Sequence, residues 1–256
     1  MEEQKFSYFD LQAYWGATKH YGGLKATEEL IRLCHLSEGK YVLDVGCGVG
    51  ITACYIAKKY DCRVVGIDIS EEMINRSKER AERKSVKNKV EFKVADAQKL
   101  PFNDAIFDIV IGESVLAFIE DKEKATKECL RVLKPGGYIG FNEATWIKTP
   151  PIELVEYLSR VTGVKEILTS DGWLKLLAAS GLRDIEARIY KINKLSQFIN
   201  ELLALGFRDF LRGWCKFISQ CIKNSTFREY LKESWPPKSA WKIFDYLGYG
   251  IYVGRK

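Results

Sequence analysis

Short apolar runs alternate with amphipathic stretches along most of this chain. Mostly apolar runs at 41–45, 63–69, 107–112 and 138–143 are too short for helices and predict strands of a sheet, and the alternating apolar and charged residues at 90–95 predict another strand. Apolar residues recur every three or four positions at 24–33, 51–59 and 121–133, and this spacing predicts helices. A further helix is predicted at 71–84, because Ser70 is a typical N-cap and is followed by two acidic residues. The alternation of strands and helices favours an α/β fold with a mostly parallel sheet.

The last third of the chain continues the pattern with one interruption. Residues 182–190 and 246–255 predict two more strands, and Thr169 predicts the start of a helix that ends at Gly181. We interpret 191–244 as an insertion, whose apolar residues, among them Leu195, Phe198 and Trp214, recur at helical spacing. Such helices could form a cap over a substrate pocket or simply pack on the core.

The N-terminal residues 6–23 are unusually aromatic and end at Gly22-Gly23. A segment of this kind ahead of the first strand could fold over a bound ligand, or could be a helix packed by its aromatic side chains. The predicted organisation is a helical lid at 1–35, a core formed by 36–190 and 245–256, and a helical cap at 191–244.

The strand at 41–45 opens into a glycine-rich turn, Gly46-Cys-Gly-Val-Gly50. Glycine lets a backbone turn sharply and approach a ligand closely. Dinucleotide enzymes use the spacing G-x-G-x-x-G and bind a pyrophosphate at the next helix, whereas the spacing here is G-x-G-x-G. Asp44 would repel that pyrophosphate, but its carboxylate suits a cationic amine, or it could instead hold the loop. The turn therefore predicts a ligand with an ammonium group.

The segment Val42-Leu-Asp-Val-Gly-Cys-Gly-Val-Gly50 resembles the first motif of the class I S-adenosylmethionine-dependent methyltransferases. Gly22-Gly-Leu-Lys-Ala-Thr27 is similar to a segment of the small-molecule branch, which includes phosphoethanolamine and ubiquinone-type enzymes. The resemblance implies a Rossmann-like, seven-stranded, mostly parallel sheet of order 3-2-1-4-5-7-6 with the last strand antiparallel. Helices would cover both faces of this sheet. The implied cofactor is S-adenosyl-L-methionine.

The same resemblance assigns the cofactor-binding residues. Asp68 follows the second strand, where one carboxylate with two oxygens can accept from both ribose hydroxyls. Asp96 and Ala97 are assigned to the adenine, although Asp96 could also be an ordinary loop aspartate. The full predicted set is His20, Tyr21, Asp44, Gly46, Cys47, Gly48, Asp68, Ile69, Met73, Asp96, Ala97 and Glu113.

Catalysis would be an in-line displacement at the sulfonium methyl group. Since the cofactor carries the reactivity, the protein has to align the acceptor, exclude water and, for an amine or hydroxyl, accept a proton. Tyr14 and Tyr21 are the predicted catalytic residues, because a phenol can hold the acceptor and its ring face can stabilise a developing cation. Phe118 stands where phosphoethanolamine enzymes have a histidine, so that histidine's chemistry is not available here.

We expect a small-molecule methyl acceptor, such as an amine, a lipid headgroup or another metabolite, that is partly apolar and anionic. The segment Glu113-Ser-Val-Leu lacks the signatures of base-modifying methyltransferases, so no nucleic-acid partner is expected. A nucleic-acid methyltransferase remains the first alternative, because residues 188–256 carry thirteen Lys/Arg against five Asp/Glu. A non-catalytic subunit that binds the cofactor is the second.

Composition limits the other possibilities. Only two histidines are present, which excludes a histidine-rich metal site, and no metal is predicted. The seven cysteines form no C-x-x-C pair and are expected to be free thiols. No run reaches the roughly 18 apolar residues of a membrane span, and the first residues lack the pattern of a signal peptide. We therefore expect a cytoplasmic protein; the sequence does not indicate its oligomeric state.

Overall fold

A computed structural model describes residues 8–9, 20–193 and 207–256. Within them, strands form one seven-stranded sheet of order β3-β2-β1-β4-β5-β7-β6. β7 is antiparallel to both β5 and β6, and the remaining pairs are parallel. The predicted strand order and the antiparallel last strand are thus confirmed. The strands are β1 (Tyr41–Val45), β2 (Arg63–Asp68), β3 (Val90–Val94), β4 (Phe107–Glu113), β5 (Leu133–Trp146), β6 (Arg183–Lys191) and β7 (Leu247–Arg255).

Helices cover both faces of the sheet. Leu30, Ile56 and Ile74 pack the first three helices onto one face, and Cys129 and Trp173 pack two later helices onto the other. The helices are α1 (Gly23–Leu33), α2 (Ile51–Tyr60), α3 (Glu71–Arg83), α4 (Lys122–Val132), α5 (Ile152–Thr162), α6 (Ser170–Ala179), α7 (Phe207–Lys223), α8 (Ser225–Glu233) and α9 (Ile243–Tyr246). None of the described helices is long and apolar enough to cross a bilayer.

Side-chain caps fix the start of several of these helices, as the sequence predicts. The Ser70 hydroxyl accepts a hydrogen bond from Met73 N, and the Thr169 hydroxyl accepts one from Gly172 N. Each cap satisfies a backbone donor that has no partner inside its helix. The cap at Ser70 matters for the site, because it begins α3 directly after the end of β2.

Two features between β5 and α6 differ from the sequence analysis. The sequence predicts that this strand ends at residue 143, but β5 extends to Trp146, which pairs with Leu247 of β7 and is buried. The long antiparallel partner β7 allows this extension. Helix α5 was not predicted, although Pro151 immediately ahead of it is a typical start signal.

The described part of the insertion is helical, comprising α7, α8, a 3-10 turn (Lys238–Lys242) and α9. Phe227 of α8 is fully buried, whereas Trp214 of α7 is 45% exposed. Leu195 and Phe198, which were part of the apolar pattern, lie outside the described residues. The division into lid, core and cap stays a prediction.

Candidate active site

The turn after β1 needs glycine for two reasons. Gly46, Gly48 and Gly50 have φ angles of 67°, 52° and 74°, in the left-handed region that side chains disfavour. A Cβ atom on Gly46 would also lie 2.5 Å from Cγ2 of Val115. The turn therefore brings bare backbone to the start of α2 and leaves the space beside it open.

That space is a cavity of about 570 Å³ at the carboxyl ends of the parallel strands, the position at which open α/β sheets bind ligands. The structure brings all of the predicted cofactor-binding residues together in its lining: His20, Tyr21, Asp44, Gly46, Cys47, Gly48, Asp68, Ile69, Met73, Asp96, Ala97 and Glu113. Of the two predicted catalytic residues, Tyr21 lines the cavity and Tyr14 lies outside the described residues.

Asp44, at the end of β1, has a buried carboxylate that can accept a further hydrogen bond. Its Oδ2 atom has no hydrogen-bond partner among the described residues, and the residue is only 2% exposed. Burial raises the pKa of Asp44 well above its usual range, and the nearby charges of Glu113 and Asp68 raise it further. A cationic group in the cavity would satisfy this oxygen and stabilise its charge. The site therefore fits the ammonium-bearing ligand that the sequence predicts.

Asp68, at the end of β2, is held in a fixed orientation by two backbone donors. Gly48 N donates to Oδ2 at 3.0 Å and Ser70 N donates to Oδ1 at 2.9 Å. Because a carboxylate oxygen can accept two hydrogen bonds, both oxygens keep capacity for a ligand. Burial raises the pKa of Asp68 above its ordinary value, although the backbone donors oppose this effect.

Asp96, after β3, is exposed and accepts a hydrogen bond from Gln98 N at 2.8 Å. This contact is the local turn-stabilising role considered as the alternative for this residue. The bond from Gln98 N uses one of the two oxygens of Asp96. Because Asp96 lines the cavity, its carboxylate can still accept hydrogen bonds from a ligand there.

Glu113, at the end of β4, collects hydrogen bonds from side chains that the sequence analysis did not single out. Its Oε2 accepts from the Thr52 hydroxyl of α2 at 2.6 Å, and its Oε1 accepts from the Thr27 hydroxyl of α1 at 3.0 Å. Asn142 of β5 contacts Oε1 at 3.5 Å, and His20 Nε2 lies 3.5 Å from the same atom. One carboxylate thus connects α1, α2 and β5 at the wall of the cavity.

Glu143, the residue after Asn142 on β5, is completely buried. Its Oε1 accepts from Val115 N at 2.9 Å and Leu116 N at 2.8 Å, at the start of the 3-10 turn (Leu116–Phe118). Burial raises the pKa of Glu143 to about 7, and the backbone donors act in the opposite direction. The carboxylate therefore fixes the turn that forms this side of the cavity.

Sequence reasoning missed Thr27, Thr52 and Asn142, since each looks like an ordinary helix or strand residue. Thr27 had one available signal: it ends the Gly-Gly-Leu segment that resembles the small-molecule methyltransferases. Nothing local marks Thr52, which lies in the first turn of α2.

Known proteins resemble this chain across the region that forms the cavity. The family described as a methyltransferase domain matches residues 43–141. An uncharacterized protein of Haemophilus influenzae is 35% identical over 168 residues, which are 64% of this chain and 67% of that protein. Phosphoethanolamine N-methyltransferase 1 of Arabidopsis thaliana is 30% identical over 216 residues, which are 79% of this chain and 44% of that enzyme. The chain therefore spans less than half the length of the plant relative.

Solved structures share the same fold. Phosphoethanolamine N-methyltransferase 2 of Haemonchus contortus, in complex with phosphomonomethylethanolamine and S-adenosylhomocysteine, matches with a TM-score of 0.72 at 22% identity. The match covers 96% of this chain and 57% of that one. Together with the strand order, the glycine turn and the sequence relatives, this likeness leads to one assignment. The chain belongs to the class I S-adenosylmethionine-dependent methyltransferases.

Proposed function

We propose that this chain transfers the methyl group of S-adenosylmethionine to a small-molecule acceptor. The observation that carries the proposal is the buried Oδ2 atom of Asp44, which has no hydrogen-bond partner among the described residues and lies beside the glycine turn. A buried carboxylate oxygen without a partner is unfavourable unless a ligand satisfies it. The ammonium group of the cofactor's methionine part has the required charge and hydrogen-bond donors.

The other cofactor contacts follow from the same lining. Asp68 would accept from the two ribose hydroxyls, because its side chain is already oriented by Gly48 N and Ser70 N. Asp96 and Ala97 would contact the adenine. Gly46 and Gly48 would allow the backbone to approach the cofactor, since neither carries a side chain toward it. Cys47, Ile69 and Met73 would provide apolar contacts, and His20 and Glu113 would complete the wall.

When bound, S-adenosylmethionine supplies a sulfonium methyl group: as the acceptor atom forms its bond to that carbon, the carbon–sulfur bond breaks and its electron pair stays on sulfur. The chain's own residues have to align the acceptor and exclude water. An amine or hydroxyl acceptor also loses a proton, for which the carboxylates lining the cavity and water are available acceptors. Tyr21, and Tyr14 outside the described residues, would hold the acceptor through their hydroxyl groups.

The flanking segments have supporting roles in this proposal. Residues 1–35 would close over the cofactor, with α1 held to the core through Thr27 and Glu113. Residues 191–244 would cap the acceptor end, where Phe244 is the cavity-lining residue that the described part of the insertion contributes. The cytoplasmic location stays a prediction.

A transfer assay tests the proposal. The purified protein is incubated with methyl-tritiated S-adenosylmethionine and a cell extract, and the label is then measured separately in the metabolite, RNA and protein fractions. We expect label in the metabolite fraction with the native chain and strongly reduced label with Asp44→Asn. Label in the RNA fraction would favour a nucleic-acid acceptor, and no transfer despite cofactor binding would favour a non-catalytic subunit.

A further inference from the structure

An aromatic cluster formed by Tyr8, Phe9 and Phe118 lines the cavity. The ring of Phe118 stacks on Tyr8, with centroids 6.3 Å apart and planes 16° from parallel. Phe9 meets Phe118 edge-on at 5.1 Å. Residues 8–9 and the 3-10 turn after β4 therefore build one continuous aromatic surface in the site.

Apolar side chains extend this surface. Lys165 N and Glu166 N donate to Ala117 O at 2.9 and 3.2 Å, which holds the segment after α5 against the residue next to Phe118. Further apolar lining comes from this segment, from α5 and from the region around α9. The residues concerned are Leu158, Val164, Ile167, Phe244 and Leu247. An acceptor in contact with these residues would have to bury apolar surface.

The charged residues of the lining are mostly acidic. Six carboxylates line the cavity: Asp44, Asp68, Asp96, Glu113, Glu120 and Glu143. Among the lining residues that the structure describes, Lys165 is the one lysine or arginine, and its Nζ atom lies 3.8 Å from Oε2 of Glu120. Phosphate groups are bound by arginine, lysine or clustered backbone donors. Of the carboxylates that are not assigned to the cofactor, Glu120 pairs with Lys165 and Glu143 accepts backbone hydrogen bonds. The described lining therefore offers an anionic acceptor no lysine or arginine that is not already paired, whereas its acidic groups are compatible with a cationic one.

We infer that the acceptor is an amine with an apolar body and without a phosphate, and that this body contacts the cluster of Tyr8, Phe9 and Phe118. The inference rests on the proposed function and narrows the acceptor class of the same site. It retains the apolar character expected from the sequence and replaces the expected anionic group by an ammonium group. Aromatic faces also attract cations, so the cluster suits both parts of such an acceptor.

A matched pair of ligands tests the inference. Phosphoethanolamine and 2-phenylethylamine share the ethylamine group and differ in carrying a phosphate or a phenyl ring. Each is titrated by calorimetry into the full chain saturated with S-adenosylhomocysteine. We expect 2-phenylethylamine to bind at least about tenfold more tightly, because its ring stacks on aromatic side chains and its body carries no negative charge. Equal or tighter binding of phosphoethanolamine, or no binding of either amine, overturns the inference.

Variants locate the binding surface. Phe118→Ala should weaken the binding of 2-phenylethylamine about fivefold or more, whereas Phe118→Leu should retain part of the affinity. Trp235→Ala is the control, because Trp235 is 79% exposed and does not line the cavity. It should not change binding of 2-phenylethylamine. Unchanged binding in both Phe118 variants contradicts the proposed contact.

Titration of S-adenosylhomocysteine alone separates this inference from the proposed function. If the native chain does not bind it, the proposed function fails. If the native chain binds it and then prefers phosphoethanolamine, the inference about the acceptor fails and the proposed function stands. Each Phe118 variant should bind S-adenosylhomocysteine with native affinity, which also establishes that the variant is folded.

Discussion

The hydroxyl of Thr52 donates a hydrogen bond of 2.6 Å to Oε2 of Glu113. Thr52 lies in the first turn of α2, directly after the glycine turn, and Glu113 ends β4. The bond therefore fixes the helix start against the neighbouring strand of the sheet. The same carboxylate accepts from Thr27 of α1, so the position of the glycine turn and the docking of α1 depend on one residue.

Thr52→Val should lower the free energy of unfolding by about 1–3 kcal/mol, because it removes a hydrogen bond to a buried charged group while preserving side-chain shape. It should also weaken S-adenosylmethionine binding, since the glycine turn loses its anchor. Urea unfolding and calorimetry measure the two effects. The control is Thr126→Val, in which the lost bond is to the Lys122 carbonyl inside α4. Equal cofactor affinity in both variants would contradict the anchoring role of Thr52.

Cofactor binding should release protons through Asp44. In the free protein, burial and the charges of Glu113 and Asp68 raise the pKa of this carboxyl. An ammonium group beside it lowers that pKa, so at any pH between the two values the carboxyl loses a proton on binding. Calorimetry in buffers with different ionisation enthalpies measures this release, and Asp44→Asn should reduce it. Proton uptake by the native chain at these pH values would be inconsistent with an ammonium partner for Asp44.

Glu143→Gln should change how stability depends on pH. The pKa of Glu143 is raised from its ordinary value of 4.5 to about 7, so the folded chain binds more protons here than the unfolded chain. The contribution of this residue to stability is therefore fully present below about pH 4.5 and is lost as the pH rises through 7, by about 3 kcal/mol in total.

Unfolding of the native chain and of Glu143→Gln, measured from pH 5 to pH 8, tests this linkage. As the pH rises, the free energy of unfolding of the native chain should fall relative to that of Glu143→Gln. Glu82→Gln is a suitable control, because Glu82 is exposed and pairs with Lys87 on the surface. A difference between the native chain and Glu143→Gln that does not vary with pH would refute the proposed linkage.

Tyr21→Phe should lower turnover without weakening cofactor binding. The Tyr21 carbonyl accepts a hydrogen bond from Asn142 Nδ2 at 3.0 Å, so the backbone stays in place when the hydroxyl is removed. If the hydroxyl holds the acceptor or takes part in proton transfer, kcat should fall about tenfold or more. Steady-state kinetics with an identified acceptor, together with a cofactor titration, measure both quantities. Native kcat in the variant would remove Tyr21 from the catalytic residues.

The strands and the cofactor end of the site follow from local sequence patterns. Asp44 and Asp68 each end a short apolar run, and the ends of parallel strands meet at one edge of the sheet, so the sequence alone predicts that both carboxylates lie at that edge. Their roles toward the cofactor come from the family resemblance. The bond from Thr52 to Glu113 could not, because it joins residues 61 positions apart that carry no local signal. The extension of β5 to Trp146 also depends on a distant partner, since it requires pairing with Leu247 of β7.

The aromatic cluster of Tyr8, Phe9 and Phe118 is predictable from the sequence only in part. The sequence indicates that residues 6–23 are unusually aromatic, but the contacts of Phe118 with Tyr8 and Phe9 bridge segments on either side of the first four strands. A pattern within one segment cannot indicate which aromatic residue of another segment will face it. The acceptor end of the cavity is therefore the part that depends most on the three-dimensional structure.

Calorimetric titration of S-adenosylmethionine into the native chain and Asp68→Ala tests the central claim most directly. Asp61→Ala is the control, since Asp61 is an exposed aspartate that pairs with Lys89 after α2. We predict that the native chain binds S-adenosylmethionine 1:1 and does not bind NAD. Asp68→Ala should bind the cofactor about 10- to 100-fold more weakly, because hydrogen bonds to a charged acceptor are lost. Asp61→Ala should bind it with native affinity. Failure of the native chain to bind S-adenosylmethionine, or unchanged affinity in Asp68→Ala, would contradict the account.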